Sequence, residues 1–116
     1  MYQFSYAEMV EDTAQDCRAR ERRAFDRAIS LLKQAQEKGN GSRESVEALL
    51  FLRRLWTTLM NDLVNPENGL PQQLRASLIS IGLWIMMKEA DLVRLRQSDN
   101  FEGLIEMNSI LRDGLN

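Results

Sequence analysis

Few side chains in this 116-residue sequence can hold a proton, a nucleophile or a metal ion. There is no histidine and a single cysteine, Cys17. Without histidine, a Ser-His-Asp or Cys-His relay has no base at its centre. A lone cysteine cannot close an internal disulfide, so Cys17 reads as a small helix residue in a reducing compartment. Metal sites need clustered ligands. Here the 17 acidic residues are scattered among 15 basic ones. Gly39-Asn40-Gly41 follows a helical segment rather than a strand and lacks the spacing of a phosphate-binding loop, so it reads as a helix stop. The expectation is a non-enzymatic protein with no cofactor, no metal and no small-molecule substrate, one that works by contact.

The densest chemistry left is basic: Arg18, Arg20, Arg22, Arg23 and Arg27. Nucleic-acid binding favours an unneutralised stripe of positive charge. On a helix only Arg20, Arg23 and Arg27 make a row, and Asp16, Glu21 and Asp26 interleave with the set. Such a pattern reads first as a solvated helix surface with i,i+4 pairs. A direct contact to RNA through that row is kept as the alternative function.

The second kind of chemistry is apolar recognition. The run Leu78-Ile79-Ser80-Ile81-Gly82-Leu83-Trp84-Ile85-Met86-Met87 is greasy almost all the way round a helix. One stripe suffices to pack on a core. Leu50 and Phe51 also fall off the main apolar face of their helix. Trp84 projects on a helical wheel into a polar stripe of Ser77, Ser80, Lys88 and Asp91. Leu50, Phe51, Trp84, Met86 and Met87 are therefore the candidate partner-binding residues. They suit a groove for a partner's amphipathic helix, a seam between two copies, or the core of an irregular bundle, and a homodimer stays open.

The elements that must position these residues are helices. No segment alternates apolar and polar residues long enough for a strand. Breaks fall at Gly39-Asn40-Gly41, at the stretch Asn65-Pro66-Glu67-Asn68-Gly69-Leu70-Pro71 and at Ser98-Asp99-Asn100. The first helix is expected over about 14–38, capped by Thr13 with Asp16 as reciprocal partner, and its apolar face holds Ala24, Phe25, Ala28, Ile29, Leu31, Leu32 and Ala35. Ser5 and Glu8 have capping-box spacing for a separate short helix within residues 2–11. The second helix starts after Ser42 and ends near Asn65, with Ala48, Leu49, Leu52, Leu55, Trp56, Leu59, Met60 and Leu63 on one half. The third begins at Pro71 as its first helical residue and runs to about Gln97. Its single wide arc holds Leu74, Leu78, Ile79, Ile81, Leu83, Ile85, Met86, Ala90 and Val93. Gly82, mid-arc, can admit a close neighbour. The fourth is short, from about Asn100 to Asp113, with Asp99 and Glu102 as a capping box and Phe101, Leu104, Met107 and Leu111 on one face. Long helices joined by short links pack antiparallel. The fold class is all-α: a single-domain, small antiparallel bundle of three long helices plus a short C-terminal helix.

Bulk properties agree. A net charge of -2 gives no global attraction to nucleic acid or an anionic membrane. The apolar run is too short for a bilayer, which takes about 20 residues. The opening residues lack the basic start and apolar core of an export signal. A cytoplasmic protein without membrane contact is expected.

Several blocks together carry a family resemblance. They are Tyr2-Gln3-Phe4-Ser5-Tyr6-Ala7-Glu8, then Ala48-Leu49-Leu50-Phe51-Leu52-Arg53-Arg54-Leu55-Trp56, the linker Asn65-Pro66-Glu67-Asn68 with Leu70-Pro71, Leu78-Ile79-Ser80-Ile81-Gly82-Leu83-Trp84-Ile85, and Arg112-Asp113-Gly114-Leu115. The chain resembles the FlaF family, flagellin synthesis and assembly factors of alphaproteobacteria, over nearly its full length. None of these blocks is a catalytic signature. The resemblance implies a cytoplasmic helper that binds flagellin as an export chaperone would, regulates flagellin synthesis, and acts beside the flagellin-mRNA regulator FlbT. It transfers no residue-level site, so the five candidates rest on helix geometry.

Overall fold

The computed structural model describes residues 6–95 and 101–115, with side chains over 16–93 and 101–115. Within these residues the chain forms four helices and no strand: α1 (Tyr6–Lys38), α2 (Arg43–Val64), α3 (Gln72–Leu95) and α4 (Phe101–Asp113).

The helix α1 is longer than its sequence suggests. It runs unbroken from Tyr6, so Thr13 lies inside it and caps nothing. No glycine or proline interrupts residues 6–13, and a cap-type residue without a breaker beside it does not stop a helix. The separate short opening helix is instead the first turns of α1. The Ser5 cap lies outside the described residues, as do the end of the third helix at Gln97, the start of the fourth at Asn100 and the Asp99 cap.

Turn chemistry elsewhere follows the residues closely. Gly39 and Gly41 take positive φ, 89° and 91°, a region that favours glycine. Gly39 N–H closes α1 by donating to the Ala35 carbonyl at 2.8 Å. Ser42 caps α2, its hydroxyl oxygen accepting from Ser45 N–H at 3.1 Å. In the next linker, Asn65 Oδ1 accepts from Glu67 N–H and Asn68 Oδ1 from Leu70 N–H, two side-chain turns in series. Pro71 stands one place earlier than expected. Its carbonyl accepts from Arg75 N–H at 2.9 Å, so it is the cap and Gln72 the first helical residue.

The helices α1 and α2 form the central pair. The helix α4 packs on α1, and α3 on α2. Asn40, beside the start of α2, donates to the carbonyl of Leu92 near the end of α3, which makes these two helices antiparallel. The core is the expected α1 face from Phe25 to Ala35, together with Ala48, Leu49, Leu52 and Trp56 of α2, Ile85 and Leu92 of α3, and Phe101 and Leu104 of α4. Trp56, 2% exposed, is its centre. Its indole N–H donates to Asn108 Oδ1 at 2.9 Å, and Phe25 meets its ring edge-on at 6.0 Å. Asn108 in turn donates to the Leu104 carbonyl at 2.7 Å, so both buried polar groups are satisfied. Outside, Arg112 ties α4 to α1 through Asp26 at 3.1 Å.

The radius of gyration is 16.4 Å, against about 13 Å for a compact domain of this length. The elongation follows from α1, whose 33 residues span about 50 Å. From Asp16 to Arg23 every described side chain is exposed except half-buried Glu21. The start of this stretch therefore stands in solvent, as its polar arc suggests.

Candidate functional site

The expected wide arc of α3 is two faces. One stripe, Gly82, Ile85, Glu89 and Leu92, is buried, with Leu78 and Ile81 half-buried along it. Gly82 makes the approach to α2 possible. A Cβ there would strike Met60 Sδ and come within 3.1 Å of two ring carbons of Trp56. Leu74, Leu83, Ala90 and Val93, placed by their periodicity with the core, are exposed instead. The reason is tertiary: only α2 packs broadly on α3, and one neighbour covers one stripe.

The five candidate residues separate. Leu50 is 48% exposed on α2. Phe51 is half-buried against the core, with the Arg27 guanidinium 5.6 Å from its ring centre. Trp84 is not in a solvated polar stripe. It is half-buried and packed against the core, and its ring lies 3.5 Å from where a Cβ on Gly103 would sit. The helix α4, invisible to a wheel drawn for α3 alone, provides that cover. Lys88 stays beside the same ring, its Nζ 5.9 Å from the centre. Met86 is half-buried and Met87 exposed.

Of the five, Leu50 lines a concave site. A cleft of about 290 Å³ opens between the first half of α2 and the last turns of α3. Buried Leu49 and Leu92 line it with exposed Val46, Leu50 and Val93, and Arg53 and Glu89 add one charge of each sign. Asn40 and Ser45 close one end. Ser45 Oγ accepts from Gly41 N–H at 3.0 Å, and the Asn40–Leu92 bond holds α3 to this corner. Burial pushes the Glu89 carboxyl above its ordinary value, and the nearby Arg53 charge partly opposes that rise. Sequence reasoning missed Glu89 and Leu92. The four-residue step from Ile85 to Glu89 was a usable signal.

Elsewhere the chemistry is sparse. Among the described residues no group of three or more Cys, Asp or Glu gathers as metal ligands. Cys17 is exposed, its sulfur 3.5 Å from Arg20 Nη2. Arg20, Arg23 and Arg27 of the arginine row are all exposed, and the Arg27 guanidinium lies over Phe51. No described helix is long and apolar enough to cross a membrane.

Comparison with known proteins gives one match. The model of a family described as flagellar protein FlaF matches residues 2–115. No curated protein and no solved structure matches the chain.

Proposed function

Because the chain belongs to the FlaF family of flagellar proteins, we propose that it is a non-enzymatic, cytoplasmic assembly factor that binds flagellin. It acts as an export chaperone and, by holding unassembled subunits, as a regulator of flagellin synthesis beside FlbT. The observation that carries the reading is the α2–α3 cleft, with its apolar floor, its exposed apolar rim and a charge of each sign at its edge. An amphipathic flagellin segment fits this chemistry. Two apolar anchors one turn apart cover Leu49 and Leu92, while its flanking polar residues meet Arg53 and Glu89. Such capture shields apolar surface that would otherwise drive the subunit to aggregate.

The arginine row is a weaker basis for the RNA alternative. Arg27 is engaged by Phe51, and acidic residues punctuate the same turns.

Co-purification of flagellin with wild type and with Leu50→Lys tests the proposal. Leu50 is exposed, so the charge leaves folding intact while opposing apolar docking. Wild type is expected to hold flagellin in a soluble complex, and the variant to lose affinity by at least about 10-fold. No soluble complex with wild type would refute flagellin binding. Full retention by Leu50→Lys would remove the cleft as the docking site.

A further inference from the structure

One side chain of the α2–α3 cleft is left incomplete by the fold. Glu89 is only 7% exposed. Among the described residues nothing donates a hydrogen bond to its carboxyl, and Arg53 acts on it from α2 without closing an ion pair. The two other buried polar side chains are held. Ser45 bonds to Ser42 and Gly41, and Asn108 to Trp56 and Leu104. No wholly buried side-chain nitrogen or oxygen lacks a partner among the described residues. The Glu89 oxygens are therefore the part of that residue which reaches the open space of the cleft. Buried polar groups are otherwise hydrogen-bonded in native proteins, so this carboxyl calls for a donor from outside the chain.

The cleft is graded along its length. The Asn40–Leu92 bond fixes one end at the start of α2. Because the helices are antiparallel, Glu89 then lies further along α2, toward Arg53. Leu49 and Leu92 form the apolar floor between the two ends. Glu89 precedes Leu92 by three residues, about 4.5 Å along the helix axis. At about 290 Å³ the cleft is at the small end of ligand pockets, which run from about 300 to 1,000 Å³. It suits a few side chains of a segment laid across it rather than a cofactor. We propose that Glu89 selects that segment by accepting from a lysine or arginine placed about one turn from an apolar anchor on Leu49 and Leu92. The proposal rests on the reading of this cleft as the flagellin-binding site, and adds the chemistry that the bound segment must carry.

A cation suits the site better than a neutral donor. Its bond to a carboxylate is charge-assisted, hence shorter and stronger. It also compensates a desolvated negative charge, which an amide does not. Lysine and arginine carry aliphatic stems that lie along the apolar floor while the head reaches the carboxyl. An acidic residue in the same place would meet a second, desolvated negative charge and be rejected. Arg53 has the complementary role. It is exposed, so it turns to water when a cation takes the carboxyl. Its own charge repels a basic residue set down on the α2 side, and the two charges together fix the direction of the segment.

Two model peptides test the assignment by calorimetric titration of the full chain. One is a leucine-faced amphipathic helix with a single lysine one turn from its central leucine. The other is the same peptide with that lysine acetylated, which keeps the stem and removes the charge. Wild type is expected to prefer the lysine peptide by at least about 10-fold. Glu89→Gln, with its fold checked by circular dichroism, is expected to lose the preference, and Arg53→Gln to keep or strengthen it. Equal affinity of the two peptides for wild type, a preference undiminished in Glu89→Gln, or its loss in Arg53→Gln would overturn the proposal. A carboxyl with a purely structural role would change stability on substitution and leave the peptide preference where it was. Flagellin co-purification separates the proposal from the reading beneath it. Glu89→Gln is expected to hold flagellin about 10-fold more weakly than wild type. Equal capture by both would overturn the role of Glu89 and leave flagellin binding standing. No capture by a wild type that still prefers the lysine peptide would refute flagellin as the partner and uphold the chemistry of the cleft.

Discussion

Two glycines allow the seating of α3 to be measured. Gly82 and Gly103 both lie within helices, so alanine at either recovers helix propensity, about 1 kcal/mol in a helix interior and less at Gly103, in the first turn of α4. Their surroundings differ. A Cβ at Gly103 meets only the Trp84 ring, at 3.5 Å and 4.0 Å, which is ordinary contact. A Cβ at Gly82 collides with Met60 Sδ and presses on Trp56 at 3.1 Å. Met60 is flexible and can swing aside. Trp56 cannot, because the Asn108 bond and the edge-on Phe25 ring hold it. Overpacking of this kind costs about 1–3 kcal/mol. Gly82→Ala is therefore expected to lose about 1 kcal/mol net, and Gly103→Ala to gain a few tenths. Urea denaturation followed by far-UV circular dichroism measures both, read as midpoint shifts at constant slope. At this chain length 1 kcal/mol corresponds to roughly 3–6 °C in Tm. If Gly82→Ala stabilises as much as Gly103→Ala, α3 does not seat on Trp56 and the two-faced description of α3 is wrong.

Two further outcomes follow from the buried polar groups. Asn108→Leu strands the Trp56 indole N–H and should cost about 1–3 kcal/mol, with a shift in tryptophan emission; unchanged stability would mean that the indole is not held there. Glu89, raised by burial, opposes stability once ionised, and Glu21, raised by burial and by Asp62, acts in the same sense. A carboxyl raised in the fold binds its proton more tightly there than in the unfolded chain. Its favourable term is full below the ordinary value of 4.5 and is lost as pH rises through the raised value. Glu89→Gln should thus be more stable than wild type at pH 7, with the advantage shrinking toward pH 4.5 in denaturation midpoints. A variant less stable than wild type at pH 7, with the deficit fading as Glu89 protonates at low pH, would show instead that the Glu89–Arg53 attraction outweighs burial.

What could be read from the residues was whatever depends on neighbours in sequence. Gly39 and Gly41 need positive φ, Ser42 caps, and the asparagines of the second linker form their own turns. These are local hydrogen-bonding and steric facts, so the limits of α2 and the end of α1 were legible. The apolar face from Phe25 to Ala35 was legible because α1 has one such face and the core has one place for it. Gly82 was legible as a point of close approach, though not what approaches it.

The site was less legible. Periodicity places residues on a helix but not against a neighbour, so two adjacent stripes on α3 read as one wide arc. Trp84 looked stranded because α4, which covers it beside Gly103, is remote in sequence. Phe51 looked surplus because Arg27 of another helix lies over it. Glu89 was passed over because the α2–α3 contact that buries it is not written in its neighbours. By itself the sequence determined an all-α chain, its stops and caps, and the poverty of catalytic groups, because these follow from residue type and short-range spacing. Only the tertiary structure decided which stripe of α3 is buried, which candidate residues line a cleft, and which apolar face is left in water. Burial is set by what packs alongside, and in this fold α3 has one broad neighbour for two apolar faces.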